Sequence, residues 1–156
     1  MPTLLRRTLI GLALFALQWL VLGRLRIWGS YPDAVLLYVA WIGLRSGRQA
    51  GSISGFLLGA LMDAAYGTWG INMFVKTLIG FVLGLFPVDE REALRLQPQQ
   101  ALLGSLVVAL LHNGLVVAFL ALQMQASNAF MVGALWIGSA VYTAFISTLA
   151  ALFSTR

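Results

Sequence analysis

Six apolar stretches run along the chain, and short turns that contain glycine, proline or charged residues separate them. The stretches cover residues 8–23, 32–46, 49–65, 69–86, 101–122 and 129–153. A membrane-spanning helix needs about 20 apolar residues, so these lengths predict transmembrane helices, of which the second and third are short. We expect an all-α membrane protein in which one integral membrane domain, residues 1–156, forms a single bundle of six transmembrane helices.

The second stretch opens with a pattern that is typical of a helix start. Ser30 can accept a hydrogen bond from a backbone N–H three residues further on, Asp33 can return the bond, and Pro32 suits the first turn. The helix is predicted to run to about Leu44, a length of about 20 Å, and the third helix is also short. The pair therefore forms either two tilted spans or one re-entrant hairpin.

The composition excludes an ordinary soluble domain. Of 156 residues, 60% are hydrophobic and 10% are charged, against roughly 25% charged in soluble domains. The net charge is +5, but the arginines stand at the ends of apolar stretches and form no basic helical face, so we expect the lipid bilayer and no nucleic acid as a partner. Cysteine is absent, which excludes disulfides and thiolate metal ligands.

The basic residues predict the orientation of the chain. With six spans and a cytoplasmic N-terminus, seven basic residues lie inside and two, Arg24 and Arg26, lie outside. The seven are Arg6, Arg7, Arg45, Arg48, Arg91, Arg95 and Arg156. This distribution follows the positive-inside rule, whereas a re-entrant hairpin would move two of the seven outside. The count favours six spans with both termini in the cytoplasm and a polar cytoplasmic loop over residues 87–100.

Glycines at intervals of four form a ladder on the third predicted helix. They are Gly47, Gly51, Gly55 and Gly59, and Asp63 continues the series. Four residues advance a helix by about 400°, so the ladder is one narrow stripe without side chains. Such stripes let helices approach closely in lipid and must face protein. The stripe packs either within this chain, where Gly80 and Gly84 offer a second stripe, or against a partner helix.

Asp63 and Lys76 are the two charged residues that the pattern places inside apolar helices. They are equidistant from the turn at 68–70, and equidistant residues of an antiparallel hairpin lie at equal depth. Each charge alone in hydrocarbon costs at least about 2.5 kcal/mol, so we predict a mutual salt bridge. The alternatives are an ion or proton path through the pair, or an Asp63 that accepts a hydrogen bond from a partner.

His112 and Asn113 interrupt the fifth apolar stretch. In a membrane helix such residues commonly form hydrogen bonds between helices, and without a second histidine a metal site is not expected. The sequence contains no nucleophile with a histidine base, no phosphate-binding loop and no HExxH motif. We therefore expect no catalytic residues, no cofactor and no enzymatic activity.

The first half of the chain contains an ordered set of short motifs: Tyr31-Pro32-Asp33, Leu36-Leu37, Gly47-Arg48, Gly51, Gly55-Phe56, Gly59, Asp63, Gly67 and Gly70. This set resembles the MreD family of bacterial rod-shape membrane proteins. The resemblance covers roughly residues 31–84, while the other apolar stretches match only in length and character. Its polar positions correspond to Asp33, Arg48 and Asp63, to which the resemblance gives structural or partner-facing roles.

The resemblance implies a multi-pass protein of the bacterial cytoplasmic membrane that controls cell shape. It implies direct binding of MreC, through the transmembrane helix of MreC, in the rod complex (elongasome) that contains RodA, its partner transpeptidase and MreB and directs peptidoglycan synthesis. It also implies a fold similar to the S-components of energy-coupling-factor vitamin transporters. We expect a scaffold whose glycine ladder and Phe56 pack helices or bind the partner, and self-association stays open. The alternative is a subunit that binds or transports a small molecule such as a vitamin.

Overall fold

The described part of the chain is mainly helical. The computed structural model describes residues 3–68, 70–88, 97–123 and 128–154. Helix accounts for 84% of the structure, and no strand occurs in the described ranges. Most of the predicted polar loop 87–100 lies outside these residues, as do Arg91, Arg95 and Arg156.

The helices follow the apolar stretches with shifted ends. Helix α1 covers Thr3–Leu17 and continues as a π-helical turn over Gln18–Leu22, α2 covers Ala34–Tyr66, α3 covers Ile71–Leu83 and α4 covers Pro98–Leu122. Helix α5 covers Ala129–Gly133, a second π-helical turn covers Ala134–Gly138, and α6 covers Ser139–Ser154. Three helical segments are long and apolar enough to cross a membrane: Thr3–Leu22, Pro98–Leu122 and Ala129–Phe153.

Gly47 divides α2 into two arms that fold back on each other. Its backbone has φ 81° and ψ 177°, a conformation that only glycine adopts readily. A straight helix would place Gly43 and Gly51 about 12 Å apart, yet a Cβ built on Gly51 would lie 2.8 Å from the Cα of Gly43. The N-terminal arm, residues 34–46, and the C-terminal arm, residues 48–66, therefore form a hairpin.

The glycine ladder of the C-terminal arm is covered by α3. A Cβ on Gly59 would lie 2.6 Å from the Cα of Met73, and one on Gly51 would lie 2.8 Å from the carbonyl carbon of Gly80. Gly55 is equally close to the backbone of Lys76. These helices touch backbone to backbone, so the ladder serves packing within the chain. Gly47 itself lies at the turn, with open space beside its Cα.

Two apolar clusters hold the helices together. The first joins both arms of α2 through Val35, Tyr38, Val39, Ile42, Leu58 and Met62. The second joins α2, α3, α4 and α6 through Leu36, Ile71, Val75, Ile79, Ala109 and Ala140. Small side chains on α4 and α6 let these two helices pack on each other.

The start of α2 differs from the prediction. Asp33, rather than Ser30, is the N-cap, and its carboxylate accepts a hydrogen bond from the backbone N–H of Leu36 at 2.8 Å. The hydroxyl of Ser30 instead donates to the carbonyl oxygen of Ala134 at 2.8 Å. This carbonyl also accepts the backbone N–H of Ser139 within the π-helical turn. Ser30 therefore joins the segment before α2 to the turn before α6.

Candidate functional site

A fully buried lysine lies at the centre of the molecule. Lys76 donates from Nζ to Asp33 Oδ2 at 2.6 Å and to Asn72 Oδ1 at 3.0 Å, and Nζ lies 3.1 Å from His112 Nε2. An ammonium group has three N–H donors, and each has an acceptor here. Because a carboxylate neutralises the charge and side chains replace its hydration, the cluster meets the requirements for a buried ion pair.

The structure corrects the predicted salt bridge between Asp63 and Lys76. The ion pair forms between Lys76 and Asp33, residues from α3 and from the start of α2. The reversal at Gly47 brings the N-terminal arm of α2 back beside α3, so the start of that arm lies within reach of a lysine side chain. Equal depth holds for two residues of one hairpin, and the N-terminal arm of α2 brings a second carboxylate within reach of Lys76.

Asp63 instead caps the neighbouring helix. Its carboxylate accepts hydrogen bonds from the backbone N–H groups of Asn72 at 3.0 Å and Met73 at 2.8 Å, and from the hydroxyl of Thr68 at 2.8 Å. The first N–H groups of α3 have no partner within the helix, and the helix dipole favours a negative charge there. Asp63 thereby joins α3 to the C-terminal arm of α2 and uses its charge locally.

The hydrogen bonds to Lys76 fix the state of the single histidine. Lysine donates only, so His112 Nε2 must accept, and the proton of the neutral ring lies on Nδ1. Nδ1 then donates to Asn113 Oδ1 at 3.0 Å. The Asn113 amide donates in turn to the carbonyl oxygen of Trp136 at 3.3 Å. His112 and Asn113 therefore connect Lys76 to the π-helical turn before α6.

Further hydrogen bonds tie the segment before α2 to α6. The backbone N–H of Asp33 donates to the hydroxyl of Thr143 at 3.0 Å, and that of Tyr31 donates to the hydroxyl of Ser139 at 3.2 Å.

Burial, and secondarily the charge of Asp33, raise the pKa of the Tyr31 phenol to about 12, so this group stays neutral at physiological pH.

Gln18 is a site residue that sequence reasoning missed. Its side chain is fully buried, donates to the carbonyl oxygen of Pro32 at 2.8 Å and accepts from the backbone N–H of Ala34 at 2.9 Å. A lone amide inside the first apolar stretch was the available signal, because a buried polar group requires partners. Gln18 clamps the start of α2 to α1.

The remaining predicted positions lie away from this cluster. Arg48 is exposed, and its backbone packs on Gly84 just after the turn of α2. Phe56 is 49% exposed on the C-terminal arm, on the side away from the buried glycines. The structure therefore does not bring either residue to the Lys76 cluster.

The Lys76 cluster is built to fix positions. Among the described residues, every buried side-chain nitrogen or oxygen has a hydrogen-bond partner. In the same ranges no group of three or more His, Cys, Asp or Glu side chains is placed to hold a metal ion. A small cavity lies beside His112, between Tyr31 and Ser139. In this cluster the charges of Lys76 and Asp33 neutralise each other. The hydrogen bonds of the cluster hold α2, α3, α4 and α6 together.

These features define a class: a helical membrane protein with several apolar helices and a buried, hydrogen-bonded ion pair. A family model described as rod shape-determining protein MreD matches residues 3–155, nearly the whole chain. The chain belongs to the MreD family, and its role is in determination of rod shape. No curated protein and no solved structure matches the chain.

Proposed function

We propose that this protein is a non-enzymatic membrane scaffold that binds the transmembrane helix of MreC in the rod complex. In that complex it acts with RodA, the partner transpeptidase and MreB in peptidoglycan synthesis. The family match supports the link to cell shape. The observation that carries the scaffold role is the use of the buried polar residues: Asp33, Asp63, Lys76 and His112 bond to one another or to backbone, and so hold helices in place.

The proposed architecture is a six-span bundle similar to energy-coupling-factor S-components, with both termini in the cytoplasm. Three helical segments have the length and hydropathy to span. The two arms of α2 and α3 supply three shorter apolar segments that pack tightly on one another. These three segments alternate in direction, and arginines are in excess at one end of the bundle. Both features support this arrangement.

The long helices leave most of their surface open to other molecules. In the most apolar part of Thr3–Leu22 only 11% of residues are buried, and the corresponding values are 17% for Pro98–Leu122 and 22% for Ala129–Phe153. A bilayer solvates such apolar surfaces, and a partner helix can pack on them. The scaffold role requires surface of this kind.

We place the MreC contact on the exposed face of the C-terminal arm of α2. The glycine ladder faces α3 and is not free for a partner. The opposite side of the same arm exposes Ile53, Phe56 and Leu57 at 53%, 49% and 56%. In lipid, helix association depends on van der Waals packing, and an aromatic ring beside branched side chains offers a large contact area.

Co-purification of MreC with the full-length protein from native membranes tests this proposal. Phe56→Ala should reduce the recovered MreC, because it removes the largest side chain of the face without disturbing the glycine contacts. Phe145→Ala is the matched control, since Phe145 is 58% exposed on α6. Equal recovery of MreC with both variants would place the contact elsewhere, and absence of MreC from the wild-type preparation would reject the scaffold role.

The small-molecule alternative receives no support from the site. The buried polar side chains that such a ligand would need include Asp63, Lys76, Asn72 and His112. Their hydrogen bonds join them to one another and to the backbone, so a polar ligand would have to displace existing bonds.

A further inference from the structure

The segment between α1 and α2 contains a tight turn with an unusual residue at its tip. Ile27 and Ser30 exchange two backbone hydrogen bonds, at 3.0 and 2.9 Å. The two central residues, Trp28 and Gly29, both have positive φ, 51° and 89°. Turns of this class favour Asn, Asp or Gly at the first central position, because a left-handed conformation brings the Cβ of other residues too close to the following carbonyl oxygen.

Among the residues that the structure describes, no packing contact accounts for a tryptophan at this position. The Trp28 side chain is 82% exposed, the highest value among the exposed large hydrophobic residues. Its neighbours Ile27 and Leu25 are 57% and 50% exposed. The turn therefore projects an apolar tip away from the body of the molecule.

The tip is held rigidly. The Ser30 hydroxyl donates to the Ala134 carbonyl at 2.8 Å, and the Tyr31 N–H donates to Ser139 at 3.2 Å. The guanidinium carbon of Arg26 lies 5.4 Å from the centre of the Tyr31 ring. These contacts tie the end of the turn to the π-helical turn before α6 and to the start of α6.

Helix lengths place the tip at the membrane interface. The segment Thr3–Leu22 contains 20 residues and is about 30 Å long, the thickness of the hydrocarbon core. Gln18 bonds to Pro32 and Ala34 and so marks the level at which α2 starts. The α1 segment continues four residues beyond Gln18 to Leu22, so the end of this segment lies about 6 Å beyond the level at which α2 starts, and the turn that carries the tip follows it.

We propose that residues 24–28 form a binding site for anionic phospholipid at the bilayer interface, in which Trp28 inserts among the headgroups and Arg24 and Arg26 contact the phosphate. Both arginines are exposed, and arginine suits phosphate through its charge and its several donors. Tryptophan is enriched at this depth because its ring is apolar and its N–H is polar. The short arm of α2 does not reach across the bilayer alone, and the rigid tip sets its depth.

Fluorescence of the full-length protein in lipid vesicles tests this site. The fluorescence of Trp28 is obtained by subtracting the fluorescence of Trp28→Phe from that of the wild type. Both proteins are measured in vesicles of phosphatidylcholine alone and in vesicles that also contain phosphatidylglycerol. We expect quenching by lipids brominated near the headgroup, weak quenching by aqueous iodide, and stronger lipid quenching when phosphatidylglycerol is present. The variant Arg24→Gln/Arg26→Gln should lose the dependence on phosphatidylglycerol. The matched control Arg6→Gln/Arg7→Gln, at the other end of α1, should keep it.

Two results would overturn the proposal. Strong quenching of Trp28 by iodide without quenching by brominated lipid would show that the tip projects into water, where a protein partner is the remaining occupant. Lipid quenching that is equal in both vesicle types would reject the anionic headgroup. Because the chain has no cysteine, a spin label on Trp28→Cys provides an independent depth measurement if the difference signal is small.

Discussion

The pairing of Lys76 with Asp33, and not with Asp63, can be measured with a double-mutant cycle. Lys76→Met preserves an unbranched apolar chain but leaves the Asp33 carboxylate buried without its cation. Asp33→Asn keeps a side chain that can cap α2 but leaves the ammonium without its counter-ion. Removal of one partner of a buried ion pair costs about 3–5 kcal/mol of unfolding free energy, so both single variants should be strongly destabilised.

The double variant should lose much less than the sum of the two single variants. Lys76 and Asp33 are 0% and 7% exposed at the side chain, and their charged atoms are 2.6 Å apart, so little solvent screens them. Once both charges are gone, neither is left buried and uncompensated. We expect a coupling energy of about 2–3 kcal/mol, near the upper end of measured couplings. The same cycle with Asp63→Asn should give a smaller coupling energy, because Asp63 accepts hydrogen bonds from the backbone of α3. Asn72 lies between the two residues: its N–H donates to Asp63, and its side-chain oxygen accepts from Lys76.

The assay is reversible unfolding of the full-length protein in mixed micelles with increasing SDS, followed by circular dichroism. The reasoning fails if Asp63→Asn couples to Lys76→Met more strongly than Asp33→Asn does. It also fails if Lys76→Met is neutral, since a buried carboxylate that loses its cation cannot be without cost.

Three further predictions use the same unfolding assay. Gly59→Ala should lower the free energy of unfolding by about 1–3 kcal/mol, because its Cβ would press on the backbone of Met73. Gly104→Ala is the control, since its Cβ would meet open space. Equal stability of the two variants would contradict close packing of the ladder. Gly47→Ala should cost about 1–3 kcal/mol, since its backbone conformation is almost exclusive to glycine; a neutral effect would mean that α2 does not reverse there. Gln18→Leu should cost about 1–3 kcal/mol for each backbone group that it leaves unsatisfied, and a stabilised variant would show that the clamp is dispensable.

Parts of the site were accessible to sequence reasoning and parts were not. The break between the two short helices was visible at residues 47–48, between the predicted spans 32–46 and 49–65. The assignment of Gly47 to the ladder of the third helix was wrong, because Gly47 lies at the turn, with open space beside its Cα. Asp63 was recognised as a polar residue within an apolar stretch, but its actual partners are backbone N–H groups of α3. Backbone donors at a helix start carry no residue-type signal, and for that reason the cap was not found.

The sequence by itself determined the kind of protein and its helical, membrane-bound character. Hydropathy and charge placement are properties of short segments, and a segment of apolar residues must satisfy its backbone internally whatever its neighbours are. Only the tertiary structure decided which groups meet. The partner of Lys76 depends on the fold of α2 at Gly47, which returns Asp33 to α3, and the direction of the glycine ladder depends on where α3 packs. Both are relations between segments distant along the chain, and hydrophobic periodicity holds no information about them.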